Sequence, residues 1–166
     1  MSYRDRFIPT DSLIPHLTTL IGTITDPLIL ANYAGFLSVS AVTVYELAIK
    51  DIFFDFGAKK NKYFGDFVEK HFNRLNGRIK FGELRGSHIS LFGDKYLKKF
   101  DKIFSVRHND LLSTSRVDIE ICYSNLIICR HEFVHGGSPT LTIGETIHNY
   151  HHGKEVIHCL DNAMKR

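Results

Sequence analysis

Apolar residues recur at steps of three and four along two stretches of the chain. One stripe consists of Phe64, Phe67, Val68, Phe72 and Leu75. The other consists of Ile89, Phe92, Tyr96, Phe100, Ile103 and Phe104. The 3.6-residue period of an α-helix places such positions on one face, which needs another element to bury it. The stripes therefore predict amphipathic helices packed in a bundle.

Proline, glycine and capping residues divide the chain into helices. Asp26-Pro27 puts a proline in a first helical turn, and Asn76-Gly77 and Gly136-Gly137 are stops. Thr10-Asp11-Ser12 is a predicted N-terminal cap, and Thr142 with Glu145 fits a capping box. The predicted helices run from about Thr10 to Gly22, Asp26 to Phe54, Lys59 to Leu75, Ser87 to Val106, Thr114 to His135 and Thr142 to Met164.

One segment leaves an alternative open. Val117 to Ile121 alternates between apolar and polar residues, as a half-buried strand does. The chain otherwise carries no internal repeat and no linker-like run. We therefore predict a single all-α domain over residues 1–166, a bundle of about five to six helices.

Composition indicates whether the protein is membrane-bound, secreted or cytoplasmic. The most apolar stretch, from Pro27 to Val44, is interrupted by Asn32, Gly35, Ser38 and Ser40. It suits a buried helix better than a membrane span, so we expect no membrane partner. No apolar signal segment follows Met1 to Arg6. The three cysteines lack C-x-x-C spacing, which indicates buried thiols in a cytoplasmic protein.

The net charge of +3 permits an anionic partner without requiring one. Lysines cluster at Lys59, Lys60 and Lys62, and again at Lys95, Lys98 and Lys99. Charge runs of this kind are usually solvated helix faces, and an anion-binding surface is the alternative.

The octapeptide Arg130 to Gly137, RHEFVHGG, has two interpretations. From His131 it is H-E-x-x-H, which places two zinc ligands about 40° apart on a helix, with Glu132 as the base that activates a zinc-bound water. The candidates for a third ligand are Glu145, His148, His151, His152, Glu155 and His158. The longer H-E-x-x-H-x-x-G-x-x-H pattern fails, because Ser138 stands at the glycine position.

From Arg130 the same stretch is an arginine, four residues and a histidine, followed by glycine. This motif near the end of a long helix resembles the motif of the HEPN superfamily, in which asparagine more often follows the arginine and here His131 does. Tyr33 to Lys50 resembles the family's early helix, with Glu46 as its late acidic residue. Ile89 to Tyr96 resembles the helix before the motif in the RiboL-PSP-HEPN and MAE_28990-like families.

The resemblance implies a HEPN-like helical bundle and a metal-independent endoribonuclease. RNA carries its own nucleophile, the 2′-hydroxyl, so such an enzyme needs a histidine to move protons and a cation at the phosphate. Arg130, His135 and His131 are the predicted catalytic residues and Glu46 a supporting residue, with no metal and no cofactor. The products would be a 2′,3′-cyclic phosphate and a 5′-hydroxyl. A toxin or antiviral defence role is likewise implied by the family alone.

Two structural interpretations accompany the catalytic one. Arg130, His131 and His135 lie in the last turns of a predicted helix, where cations interact favourably with the helix dipole. Glu46 is either a surface acid or a partner that orients Arg130. At the level of function, the alternative is a non-catalytic HEPN module that binds RNA, nucleotide or protein, and a zinc hydrolase is the third possibility.

The spacing of the motif predicts an oligomer. Arg130 and His135 point about 140° apart on an ideal helix, so one straight helix does not aim both at one phosphate. The run Leu126 to Cys129 makes its helix apolar on all sides, which is more apolar surface than one small bundle needs to bury. We therefore expect a homodimer through the motif-bearing helix. RNA is the expected partner, and an antitoxin or regulatory protein is a further one.

Overall fold

The computed structural model describes residues 2–75 and 77–165, and all the regular structure in those ranges is helical. The chain begins with a 3-10 turn, Tyr3–Phe7. The α-helices are α1 (Ile8–Ile21), α2 (Pro27–Ala58), α3 (Lys62–Phe72), the short α4 (Phe81–Glu83), α5 (Asp94–Ser115), α6 (Ile119–Val134) and α7 (Ile143–Met164). The predicted all-α fold is confirmed, with seven helices among the described residues rather than five to six.

Helix α2 is the central element, and it packs against α3, α6, α7 and the 3-10 turn. Its inner positions are fully buried, among them Ala34, Leu37, Ala41, Tyr45, Ala48, Ile49 and Phe53. By length and composition alone α2 would pass as a membrane span, since its most apolar window has a mean hydropathy of 1.5. The core helix of a compact protein passes the same test, and 44% of that window is buried here.

Three tyrosines tie the central helices together. The Tyr45 ring stacks on those of Tyr123 and Tyr150, at centroid distances of 5.6 and 5.8 Å. Each phenol donates a hydrogen bond: Tyr45 to the Tyr150 carbonyl, Tyr123 to the Ile79 carbonyl and Tyr150 to Asp11. Burial raises the pKa of all three phenols, so they remain neutral donors. These contacts fix the positions of helices α2, α6 and α7 relative to one another.

The helix predicted from Ser87 to Val106 was placed wrongly. Leu84–His88 is a π turn and Ile89–Phe92 a 3-10 turn, and α5 runs from Asp94 to Ser115. Gly93 separates them with φ 98° and ψ 160°, a conformation that no helix contains. The apolar stripe keeps its spacing across this break, which is why periodicity alone did not reveal it.

Other helix ends also differ from prediction. The predicted cap at Thr10-Asp11-Ser12 is wrong, because α1 continues directly from the Ser2-capped 3-10 turn. Helix α2 extends past Phe54 to Ala58 and α3 is confined to Lys62–Phe72, with the predicted stop Asn76 outside the described residues. Asp118 caps α6, so the alternating segment Val117 to Ile121 begins a helix and is not a strand. The capping box of Thr142 and Glu145 is confirmed.

Candidate active site

The motif lies at the C-terminal end of α6, and two glycines end that helix. The Gly137 N–H donates to the Glu132 carbonyl and the Gly136 N–H donates to the Phe133 carbonyl. Gly136 has φ 83°, the left-handed conformation that this arrangement, a Schellman motif, requires. His135 is the C-cap, with φ −93° and ψ 19°. The helix therefore unwinds at His135 itself, and the predicted stop at Gly136-Gly137 is confirmed.

Phe133 anchors this helix end to α2. Its ring covers the backbone of Gly35, where an added Cβ would lie 2.3 Å from the ring. The Phe36 ring meets the Phe133 ring edge-on at 5.3 Å. Only a glycine at position 35 allows this approach, so the orientation of the motif depends on α2.

His131 and His135 lie side by side on the outer surface. Their ring centroids are 4.4 Å apart, and both side chains are exposed. Two imidazoles at this separation can act on neighbouring atoms of one small group. The structure thus brings together two of the three predicted catalytic residues.

Arg130 and His131 line a pocket of about 450 Å³ between α6 and the segment from Gly77 to Gly82. Its described lining consists of Val42, Gly77, Lys80, Phe81, Gly82, Glu120, Ser124, Ile127, Ile128, Arg130, His131 and Glu132. The Tyr123 phenol fixes one wall through its bond to the Ile79 carbonyl. His135 is not among these lining residues, so His131 is the link between the pocket and the histidine pair.

Glu46 does not line the pocket, but it is hydrogen-bonded to Gly77, which does. Its carboxylate accepts hydrogen bonds from Lys50 Nζ at 2.8 Å and from the Gly77 N–H at 2.9 Å. Arg130 Nη1 lies 3.9 Å from the position that a Cβ on Gly77 would occupy. No carboxylate of residues 2–75 or 77–165 lies within ion-pair distance of Arg130. Glu46 therefore holds the backbone that Arg130 faces, and it does not pair with Arg130 directly.

The geometry favours the Arg130 interpretation over the zinc interpretation. Glu132 accepts a hydrogen bond from the Thr140 hydroxyl at 2.9 Å, across the loop that follows α6. No group of three or more His, Cys, Asp or Glu side chains in the described part of the chain could hold a metal ion. None of the proposed third ligands on α7 therefore joins His131 and His135 in a three-donor set.

The prediction that the run Leu126 to Cys129 leaves apolar surface for a second copy to bury is wrong for three of its four residues. Leu126 and Cys129 are fully buried, and Ile127 is 6% exposed. Ile128 alone is half exposed. One copy of the bundle buries most of this run, because α6 packs against both α2 and α7.

Sequence reasoning missed Lys80 and Ser124 as parts of the pocket. Lys80 adds a second cation to the pocket that Arg130 lines, and Ser124 adds a hydroxyl on the same face of α6 as His131, two turns earlier. Neither belongs to a motif, so no local pattern marked them. The turn at Gly77 was a usable signal, because it directs the chain back toward α6.

The match to a known family covers nearly the whole chain. The RiboL-PSP-HEPN family model matches residues 6–166. The chain therefore belongs to the RiboL-PSP-HEPN family. Among curated proteins no match was found. The solved structures likewise gave none.

Proposed function

We propose that this protein is a metal-independent endoribonuclease in which the 2′-hydroxyl of RNA attacks the adjacent phosphate. The observation that carries the proposal is the grouping of Arg130 and His131 on one pocket with His135 beside His131. Family membership supports it, since HEPN domains are often linked to ribonuclease activity. A pocket of about 450 Å³ is in the size range of small-molecule sites and suits one nucleotide.

Each of the grouped residues has a distinct chemical role. His135 accepts the 2′-hydroxyl proton while the 2′ oxygen forms a bond to phosphorus. The bond from phosphorus to the 5′ oxygen breaks, and His131 donates a proton to that leaving oxygen. Arg130 makes forked, charge-assisted contacts with the phosphate oxygens, and Lys80 adds a second cation. The products are a 2′,3′-cyclic phosphate and a 5′-hydroxyl.

A homodimer through α6 is part of the proposal. Ile121, Ser124, Ile128, His131 and His135 recur at alternating steps of three and four, the spacing of a helix–helix seam. Ile121 and Ile128 on this seam are 55% and 50% exposed. A second copy packed here would bury both isoleucines and bring two histidine pairs to one cleft. Arg130 and His135 of one chain point in different directions, and in this dimer residues from both copies would reach one phosphate.

The test of activity is RNA cleavage in the presence of EDTA, with the ends of the products analysed. Cleavage that resists EDTA and leaves cyclic phosphates is the expected result. Cleavage that EDTA abolishes would instead support the hypothesis of a zinc hydrolase. RNA binding without cleavage would favour the non-catalytic HEPN module.

The test of the dimer is light scattering at micromolar concentration, where we expect about twice 19.0 kDa. Ile121→Asp places a charge in the seam at a residue that does not line the pocket, and it should give a monomer that no longer cleaves RNA. Ile8→Asp on α1 is the matched control, since Ile8 is 58% exposed on a helix other than the seam helix. A monomer with full specific activity would contradict the composite site.

A further inference from the structure

Helix α5 presents a face of lysines. Lys95, Lys98, Lys99 and Lys102 follow the spacing i, i+3, i+4 and i+7, which confines them to an arc of about 100°. Lys95, Lys98 and Lys102 are exposed, and Lys99 is half-buried and donates to the Lys165 carbonyl. The opposite face of α5 carries the buried Phe100 and Phe104. We call these four residues the lysine face.

The ammonium groups of the lysine face are not neutralised by direct ion pairs in the described part of the chain. Among the described residues, no carboxylate lies within ion-pair distance of its four ammonium groups, whereas Arg6, Arg85 and Arg107 are all paired. Each of the four lysines has another of them three or four residues away, and like charges at this spacing destabilise a helix. Asp94 and Asp101 also stand at i−4 and i+3 from Lys98, and Asp101 is paired with Arg85. Lys95 and Lys98 also lie near the N-terminus of α5, where the helix dipole repels cations. Lys95, Lys98 and Lys102 therefore contribute no ion pair to the fold among the described residues.

The positive surface continues onto the end of α2. The Phe56 ring contacts the Tyr96 ring at 4.9 Å, which places the last turn of α2 beside the first turn of α5. Lys60 Nζ lies 5.0 Å from the centre of the Phe56 ring. Lys59 and Lys60 line a shallow groove with Lys165, and the groove also contains Asp55 and Asp161. Two lysine clusters that are distant in sequence are therefore adjacent in space.

We infer that the lysine face and the adjoining Lys59 and Lys60 bind the phosphate backbone of RNA, as a second contact for the RNA that reaches the candidate active site. Its role in substrate binding rests on the proposed ribonuclease function. Flexible ammonium groups without flanking hydrogen-bond donors suit a phosphate backbone in any sequence. A bilayer is the weaker fit, because the apolar stripe of α5 is packed in the core and the exposed Val106 beside the lysines is a small side chain for insertion.

The distance between the candidate active site and the lysine face allows one RNA molecule to contact both. Val42 lines the pocket beside Arg130, and the 17 residues of α2 from Val42 to Ala58 span about 24 Å. A nucleic-acid duplex carries one phosphate charge per ~1.7 Å, so this length corresponds to roughly 14 charges. The two binding surfaces are far enough apart to be separate and close enough for one hairpin.

The experiment measures binding of a 2′-O-methyl RNA hairpin by fluorescence anisotropy over a series of salt concentrations. This probe has no 2′-hydroxyl, so it reports binding whether or not the protein cleaves RNA. The variant K95Q/K98Q/K102Q removes three exposed charges and keeps Lys99. We expect weaker binding by about tenfold or more at low salt, with the salt slope reduced by roughly 0.9 for each phosphate that the variant no longer neutralises.

The matched control is K70Q/R74Q/R116Q, which removes the same charge from exposed positions outside the lysine face. It should bind with nearly the wild-type salt slope. Equal decreases in affinity for both variants would overturn the inference, because they would report net charge alone. An unchanged slope in the lysine-face variant would overturn it as well. So would lysine-dependent binding to phosphatidylserine vesicles in place of the hairpin.

Failure of the inference is distinguishable from failure of the proposed function. If RNA is not cleaved but the lysine-face variant still binds the hairpin more weakly, the ribonuclease proposal fails and the RNA-binding surface stands. If RNA is cleaved and KM and kcat are unchanged in that variant, the lysine face is not a substrate-binding surface.

Discussion

The chain contains two histidine pairs of nearly identical geometry on neighbouring helices. The rings of His131 and His135 on α6 are 4.4 Å apart and inclined by 57°, and those of His148 and His152 on α7 are 4.5 Å apart and inclined by 53°. Their surroundings differ. The first pair lies at a glycine-terminated helix end beside Arg130, and the second lies within a continuous helix. Spacing alone therefore does not define a site.

The largest expected difference between the pairs is in RNA cleavage. His135→Ala should reduce the cleavage rate by about 10²- to 10⁴-fold, because it removes a proton-transfer group. His152→Ala, the matched change on α7, should leave the rate nearly unchanged. Initial rates on one RNA substrate check both. His135 is exposed, so its removal should shift the free energy of unfolding by less than about 0.5 kcal/mol. Unfolding of His135→Ala would instead indicate a structural role.

Glycine substitutions test whether the first pair depends on its helix end. Gly136→Ala forces a side chain into φ 83° and should destabilise the protein by about 1 to 2 kcal/mol, with reduced cleavage. Gly144→Ala, in the first turn of the helix that carries His148, meets nothing within 4 Å. It should be neutral or stabilising by about 0.4 to 1 kcal/mol. Urea unfolding and cleavage rates measure both. Equal effects would remove the distinction between the pairs.

Two acidic residues provide a smaller expected difference: Glu46, which holds the Gly77 backbone beside Arg130, and Glu155, which lies near His152. Glu46→Gln weakens the hydrogen bond with the Gly77 N–H and the ion pair with Lys50, so we expect a destabilisation of about 1 kcal/mol and a several-fold slower cleavage. Glu155→Gln breaks the ion pair with Arg107 near His152 and should leave cleavage unchanged. Cleavage that is insensitive to Glu46→Gln would mean that the backbone facing Arg130 needs no such support.

The smallest effect is in the pH dependence of stability. Burial lowers the pKa of His152 below 6.5, and it does the same for His158. Between the folded and unfolded pKa values the unfolded chain binds more protons, so stability falls as the pH decreases below about 6.5. His152→Gln should make this decline shallower in melting temperatures measured from pH 7.5 to 5.5. A decline that is unchanged in this variant would assign the effect to the other histidines.

Local patterns accounted for the helical class and for several helix ends. The glycine stop after His135 and the capping box at Thr142 are determined by neighbouring residues, so the sequence alone predicts them. The break at Gly93 was missed because the apolar period continues through it. The pairing of Arg130 with His135 was predicted from family resemblance, and only the fold placed His131 between the pocket and His135.

The sequence by itself determined which segments become helices, where several of them end and which motif is present. These properties depend on residues within a few positions of one another, which the printed order contains. The tertiary structure decided that Gly77 and Lys80 line the same pocket as Arg130, that Glu46 holds Gly77 and that the two lysine clusters adjoin. Such neighbours are separated by tens of residues, and their meeting depends on how helices pack around Tyr45, Tyr123 and Tyr150.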